Sequence, residues 1–355
     1  MLNPLRLSLN LHAGLQPEVV SGDDVVHSLL APAALVQKVL PNFDVGTVLS
    51  CSLLAHNQDD LYQLTAERQQ YVIRVYRAVS GESFAMLPAL LYELELLLYL
   101  SAQGIATATP VARRDGRFIS AIAAPEGSRH VVLFTHARGD SLSALTQTVV
   151  TSEIYGRAVG AMHRAADRFA SAHVRPALDL AHLIERPLDA ARPLLAHRPD
   201  DWAELCRIAG RLTSRINALS ARGLDSGVCH GDLTGGNAHL TENGELTLYD
   251  FEYCGPGWRA YDLAVFRWAL ALSRERLNWD ESHVERLWSA FLQGYLTERQ
   301  LHDADVEAVP TFVLARQFWY LRLRATNRVH WGAVEVDDRF FDWLLSFLRE
   351  WEALE

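Results

Sequence analysis

Between Val228 and Phe251 the chain reads VCHGDLTGGNAHLTENGELTLYDF, and three residues in it carry side-chain oxygens at intervals suited to phosphoryl transfer. Asp232 follows His230-Gly231. Asn237 comes five residues later, and Asp250 thirteen residues after that, at the end of the run Leu246-Thr247-Leu248-Tyr249. Moving a γ-phosphoryl group requires a carboxylate that orients the attacking hydroxyl, and oxygen ligands that hold Mg²⁺ against the β- and γ-phosphates. Asp232 is the candidate base; Asn237 and Asp250 are the candidate metal ligands. Asn243-Gly244, flanked by Ala238-His239-Leu240 and Leu246-Thr247-Leu248, predicts a hairpin that brings Asn237 and Asp250 together.

Such a cluster needs a cation for the nucleotide phosphates, and the usual strand lysine is missing. Lys38 is the sole lysine of the chain and lies upstream, in the helix-like stretch from Pro32 to Leu40 that Pro41 closes. Residues 70–77, QYVIRVYR, alternate as a strand, and Arg74 shares a face with apolar neighbours, where a guanidinium wants an anion. Guanidinium binds phosphate oxygens bidentately and stays charged, so Arg74 is the candidate phosphate cation; a side chain that only snorkels to the sheet edge is the competing reading. A helix is predicted from Ser83 to Gln103, with Gly104 as its stop. Helical spacing places Glu93 on its burying face with Leu90, Leu97 and Leu100, and Arg74 is the cation expected to pair with it; Glu95 points nearer the opposite side.

The His230-Gly231-Asp232, Asn237 and Asp250-Phe251-Glu252 pattern resembles the aminoglycoside phosphotransferase, choline kinase and homoserine kinase type II superfamily, which shares the protein-kinase-like fold. The resemblance runs from about Val45 to about Trp343. It implies an α+β chain in two lobes: a small antiparallel-sheet N-lobe with one long helix, residues 1–136 including an extension over 1–44, and a large, mainly helical C-lobe over 137–355. It further implies ATP and Mg²⁺, with Asp232 as base, Asn237 and Asp250 on the metal, and Arg74 at the position of the strand lysine. Asn57 stands where the superfamily often has an asparagine, and either touches a phosphate or caps its loop. APEGSRHVVLFTHARG resembles the homoserine kinase and stress-response kinase pattern of a Pro-Glu-Gly loop, a strand and a hinge. That makes Phe134, Thr135 and His136 the hinge whose backbone reads adenine.

Other elements follow in order. Strands are predicted over 45–51 and 61–66, with the glycine-free stretch from Cys51 to Asp60 in the place of a phosphate-covering loop. Thr109 to Ile119, with a hairpin turn at Asp115-Gly116, and Arg129 to His136 complete the sheet. Helix patterns follow over 154–168 and 178–222, the latter punctuated by Pro187, Pro193 and Pro199. His163 is expected to pack near the catalytic loop. Eleven residues separate Asp250 from Asp262, too few for the peptide-docking segment of a eukaryotic protein kinase. Asp262 opens a helix and either caps it or steadies the catalytic turn, while Glu252 faces metal or substrate or acts through a neighbour. The last third is helical and aromatic, and its stripes read as core rather than as a cage for a quaternary amine. Arg316, Arg322, Arg324 and Arg328 form a basic cluster of which a subset suits an acidic acceptor group.

The 355 residues suffice for two lobes, and 49% apolar content supports a real core. A formal charge of −10 argues against general binding to nucleic acid or an anionic membrane. Cys51, Cys206, Cys229 and Cys254 form no C-x-x-C pair, which suggests neither a disulfide framework nor a zinc site and fits a reducing cytoplasm. No signal peptide, anchor or membrane span is expected. The expectation is a phosphotransferase acting on a hydroxyl of a small molecule such as an amino alcohol, hydroxy amino acid, aminoglycoside or sugar, as a monomer or homodimer. The alternatives are a bacterial protein Ser/Thr kinase resembling the stress-response kinase, and a nucleotide-binding regulator without turnover.

Overall fold

Proline starts the first ordered helix. In α1 (Pro32–Lys38) Pro32 occupies the first turn, where a missing N–H costs nothing, and a tight turn over Leu40–Asn42 containing Pro41 ends the segment. The computed structural model describes residues 25–77, 87–143 and 146–353. Strands β1 (Val48–His56), β2 (Asp60–Ala66) and β3 (Gln70–Val75) form a meander, followed by helix α2 (Leu87–Ala102) and the pair β4 (Ile119–Ala124) and β5 (Gly127–Thr135). The antiparallel sheet has the order β1-β2-β3-β5-β4. The predicted start of α2 at Ser83 lies outside the described residues.

Three strand expectations change. β1 begins later and runs to His56, so the expected loop over 51–60 is mostly strand, and only the turn 57–59 joins it to β2. The strand expected over 109–119 is replaced by isolated bridges, Phe43 with Arg113 and Pro110 with Phe134. Its place in the sheet goes to Ile119–Ala124, whose hairpin turn to β5 lies at Pro125-Glu126. The Asp115-Gly116 turn exists, with Gly116 at φ 79°, and the Arg113 amide donates to the Arg117 carbonyl across it at 2.7 Å, but the pairing does not extend into strands.

The C-lobe holds β6 (Asp140–Ser141), α3 (Val149–Ala166), α4 (Arg186–Ala191), α5 (Pro199–Ala221), β7 (Ser226–Cys229), β8 (Ala238–Leu240), β9 (Leu246–Leu248) and β10 (Gly255–Trp258). Helices α6 (Arg259–Leu277), α7 (Glu281–Leu296), α8 (Asp303–Trp331) and α9 (Asp338–Glu352) complete it. Pro187, Pro193 and Pro199 each stand at the first turn of a helical segment, so they start turns rather than break them. β8 and β9 form the hairpin expected around Asn243-Gly244, and β10 pairs with β7. These two small sheets hold the segment from His230 to Phe251 in place.

Two apolar cores result. Leu35, Phe43, Tyr62, Leu64, Ile73 and Val131 belong to the N-lobe core. Leu90, Leu94, Leu97 and Leu100 of α2 join instead the larger core of the C-lobe. The long helix of the small lobe thus packs on the large one, which fixes the cleft between them. Trp288, Phe291, Phe318 and Phe341 pack into or against the same core, as expected for aromatic stripes at helical spacing.

Candidate active site

Asp232, Asn237 and Asp250 converge. Asn237 Nδ2 donates to Asp232 Oδ2 at 2.8 Å and to the Asp232 carbonyl at 2.9 Å, and the Tyr249 amide donates to the Asn237 carbonyl at 3.0 Å. Both donors of Asn237 thereby face Asp232, leaving its amide oxygen, which has no hydrogen-bond partner among the described residues, as the ligand atom. The backbone of Asp250 is left-handed, φ 62°, a conformation that a short polar side chain tolerates better than most. Gly231, at φ 84°, lies where an added Cβ would meet the Tyr253 carbonyl at 2.3 Å, so the turn before Asp232 requires glycine.

Asp262 holds that turn. Its carboxylate accepts the amides of His230 at 2.6 Å and Gly231 at 2.8 Å, and lies 3.0 Å from His163 Nε2. His163 Nδ1 sits 3.0 Å from the Tyr295 hydroxyl. Of the two readings of Asp262, the structure selects the one in which it steadies the turn, and His163 packs behind it. Neutral His163 satisfies the set, accepting from Tyr295 and donating to Asp262. Burial pushes the His163 imidazole below its ordinary value near 6.5, although Asp262 pulls the other way. The sign follows: below about pH 6.5 the unfolded chain binds a proton that the folded chain refuses, so this stability is present above that pH and lost as pH falls toward the depressed value. Unfolding midpoints measured from about pH 7.5 to about pH 5, the range where histidine titrates, should fall more steeply for the wild type than for His163→Gln.

Arg316 of α8 reaches the candidate base. Its Nη2 pairs with Asp232 Oδ1, and its Nη1 donates to the Gly231 carbonyl at 3.1 Å. The guanidinium stacks on Trp319, 3.9 Å from the ring centroid, and Tyr253 meets the same indole edge-on at 4.7 Å. Both carboxylate oxygens of Asp232 are therefore held. The sequence placed Arg316 in a basic cluster without revealing this contact, because 84 residues separate the pair. Of the other members, Arg324 pairs with Glu335 and Arg328 is exposed.

Arg74 is buried and crosses the cleft. Its Nε pairs with Asp59 at 2.7 Å, Nη1 with Asp250 Oδ1 at 2.8 Å, and Nη2 with Glu252. These carboxylates outweigh desolvation and push the guanidinium well above its ordinary value. The expected Arg74–Glu93 ion pair is not formed: Glu93 is buried, and its Oε2 lies 3.9 Å from Arg175 Nη1. Burial pushes the Glu93 carboxyl up, with Arg74 and Arg175 opposing. The reason is competition, since Asp59, Asp250 and Glu252 each take one nitrogen of the guanidinium before Glu93 reaches it. Glu252 meets Arg74, while burial, opposed by Arg74, pushes its carboxyl up to about 8. Asp59 carried no signal in the sequence beyond an acidic doublet in a turn.

The cleft between the lobes is lined by Leu54, Leu61, Val72, Leu97, Ala108, Phe134 and Phe251 as an apolar slot, with Arg74, Glu93 and Asp250 at one end and Thr135, His136 and Ala137 at the other. Arg74, Glu93, Phe134 and His136 thus line one cavity. The Thr135 amide is taken by the Thr109 carbonyl at 2.9 Å and that of His136 by the Gln70 carbonyl at 3.3 Å, whereas the Ala137 amide has no acceptor among the described residues. Asn57 does not line the cavity. It lies in the β1–β2 turn, where its carbonyl accepts from Arg77 Nη2 at 2.8 Å and from Trp331 Nε1 at 3.4 Å. The turn is clamped to α8 through this backbone carbonyl, which bears on neither reading of the Asn57 side chain.

Antiparallel sheet, interlobe slot and the paired Asp232 and Asn237 beside it define a kinase-like phosphotransferase of two lobes. The chain belongs to the phosphotransferase enzyme family, APH, whose profile matches residues 50–302. It is 37% identical over 327 residues to an uncharacterized protein of Deinococcus radiodurans, covering 92% of each chain. To the homoserine kinase of Neisseria meningitidis serogroup B it is 31% identical over 291 residues, 80% of this chain and 86% of that one. In structure it resembles the amicoumacin kinase hAmiN, solved with AMP-PNP, Ca²⁺ and Ami, with a TM-score of 0.71 over 90% of this chain and 92% of that one; at 20% identity that likeness shows the fold alone. The chain is a small-molecule phosphotransferase. Among the described residues no helix is long and apolar enough to cross a membrane.

Proposed function

We propose that this phosphotransferase moves the γ-phosphoryl group of ATP to a hydroxyl of a small acceptor, with hydroxy amino acids and amino alcohols first in line. The meeting of Asp232 and Asn237 next to Asp250, which alone of the three lines the apolar slot, carries the reading. The slot accommodates a flat base, and the Ala137 amide, which has no acceptor among the described residues, is the donor offered to its edge, one residue past the expected hinge. Arg74 binds the phosphates through the second N–H of each terminal nitrogen, which its carboxylate contacts leave over. Asn237, through its amide oxygen, and Asp250, through the carboxylate oxygen that Arg74 leaves, suit a hard cation that prefers oxygen ligands. A magnesium ion held by them would supply charge neutralisation at the nucleotide phosphates. Asp232, fixed by Arg316 and Asn237, orients the acceptor hydroxyl and takes its proton.

The acceptor class draws on two observations. The likeness to homoserine kinases brings in a hydroxy amino acid. The face of Trp319 is covered by Arg316, so this indole offers no platform to a quaternary ammonium, which disfavours choline-like acceptors. A protein acceptor is disfavoured because the turn over Phe251–Tyr253 and β10 lead straight into α6 and leave no docking segment. The lobe boundary falls at 136/137, just past the end of β5, and four free cysteines suit a reducing cytoplasm. The test is ADP release with Mg²⁺, with and without chelator, against separate pools of hydroxy amino acids, amino alcohols, aminoglycosides, sugars and a generic protein. Turnover is expected with a small-molecule pool only, and to vanish with chelator. Turnover on the protein pool alone, or nucleotide binding with no turnover on any pool, would refute it in favour of a protein kinase or a regulator.

A further inference from the structure

Outside the cleft, one cluster has the composition of a transition-metal site. His27 lies ahead of α1, His56 ends β1 and Asp60 opens β2, and their ligand atoms all fall within 4.8 Å of one another. His27 Nε2 lies 3.1 Å and His56 Nδ1 2.6 Å from the same Asp60 oxygen. We propose that His27, His56 and Asp60 bind a divalent ion of the zinc class, at a site separate from the magnesium chemistry of the cleft.

The donor set decides the class. Two imidazoles and one carboxylate suit zinc and its neighbours, whereas magnesium and calcium favour oxygen throughout. The surroundings hold the ligands in place. Asp60 is fully buried, and its second oxygen takes Arg129 Nη2 at 2.7 Å, which aims the first at the imidazoles. Ser28, next to His27, donates its hydroxyl to Glu126 at 2.7 Å, and its carbonyl accepts Arg129 Nη1 at 2.8 Å. Arg129 Nη1 is also 3.7 Å from Glu126, so two carboxylates face one guanidinium and charge is left over for a cation. His27 Nδ1 has no partner among the described residues, so nothing locks its tautomer and Nε2 is free to present its lone pair.

The fit requires small movement. Zinc bonds of about 2.0–2.2 Å place ligand atoms roughly 3.3–3.5 Å apart in a tetrahedron. The His56 contact must lengthen, and its side chain is 48% exposed and free to withdraw. Water or His330, whose ring stands edge-on to His27 at 6.3 Å, can complete the shell. An ion here ties the segment before α1 to the β1–β2 hairpin, whose turn is already clamped to α8.

The experiment is a calorimetric titration of the chelator-treated full chain with Zn²⁺ alone in excess Mg²⁺, repeated on His27→Ala, His56→Ala and Asp250→Asn. We expect one zinc per chain, weakening of at least about tenfold in each histidine variant, and no change in Asp250→Asn, which alters only the cleft. Zinc should also raise the unfolding temperature of the wild type more than that of His56→Ala. Absence of zinc binding, wild-type affinity in either histidine variant, or loss in Asp250→Asn alone would overturn the site.

Discussion

Replacing Asp232 by asparagine is expected to lower kcat by about 10²–10⁴-fold, the usual contribution of general-base assistance, while leaving nucleotide affinity close to that of the wild type. Asp232 is absent from the lining of the interlobe cavity, so the base and phosphates of ATP meet other residues. What the variant loses is the carboxylate that receives the acceptor proton. Asparagine keeps the shape and an acceptor oxygen, so Arg316 retains a hydrogen bond, but the buried guanidinium loses its countercharge. Uncompensated burial of a charge costs about 3–5 kcal/mol in unfavourable cases, so the unfolding temperature must be recorded beside the rate. Single-turnover kinetics at saturating ATP separates the two effects. A variant that stays folded, binds nucleotide and turns over at more than a tenth of the wild-type rate would remove Asp232 from the role of base.

The legibility of this site in the sequence tracks the range of the contacts. Asp232, Asn237 and Asp250 were readable because one hairpin joins them, and the turn at Asn243-Gly244 fixes its ends locally. Burial was readable too: alternation along 70–77 and helical phase in α2 identified Arg74 and Glu93 as polar residues on apolar faces. Partner choice was not. Arg74 meets Asp250 and Glu252 across 176 and 178 residues, and periodicity carries no information at that distance. The same limit hid the contact of Arg316 with Asp232 and the meeting of His27 with His56 and Asp60. The displaced fourth strand has a local cause. Asp115-Gly116 is the stronger turn signal, yet the alternating residues that pair lie beyond it at Ile119–Ala124, joined to β5 through Pro125-Glu126.

Arg74→Met should be the most damaging substitution outside the catalytic turn, because one guanidinium serves three carboxylates. Removing it leaves Asp59 and Glu252 facing each other with no cation between them, and breaking a buried ionic network by deleting one partner costs about 3–5 kcal/mol. Asp250 is half-exposed and recovers water, so it adds little to that loss. The catalytic penalty is separate. A cation aimed at charge that develops on the phosphates contributes about 10²–10³-fold, and methionine supplies none of it. kcat/KM for ATP should fall by that order even at a temperature where the variant is folded. Arg74→Lys discriminates the two roles: a point charge on a flexible stem cannot make three directed contacts at once, so stability should drop nearly as far, while an ammonium can still meet a phosphate and part of kcat/KM should return. If Arg74→Met unfolds at the wild-type temperature and keeps its KM for ATP, the ion network is not what joins the lobes, and the phosphate cation lies elsewhere.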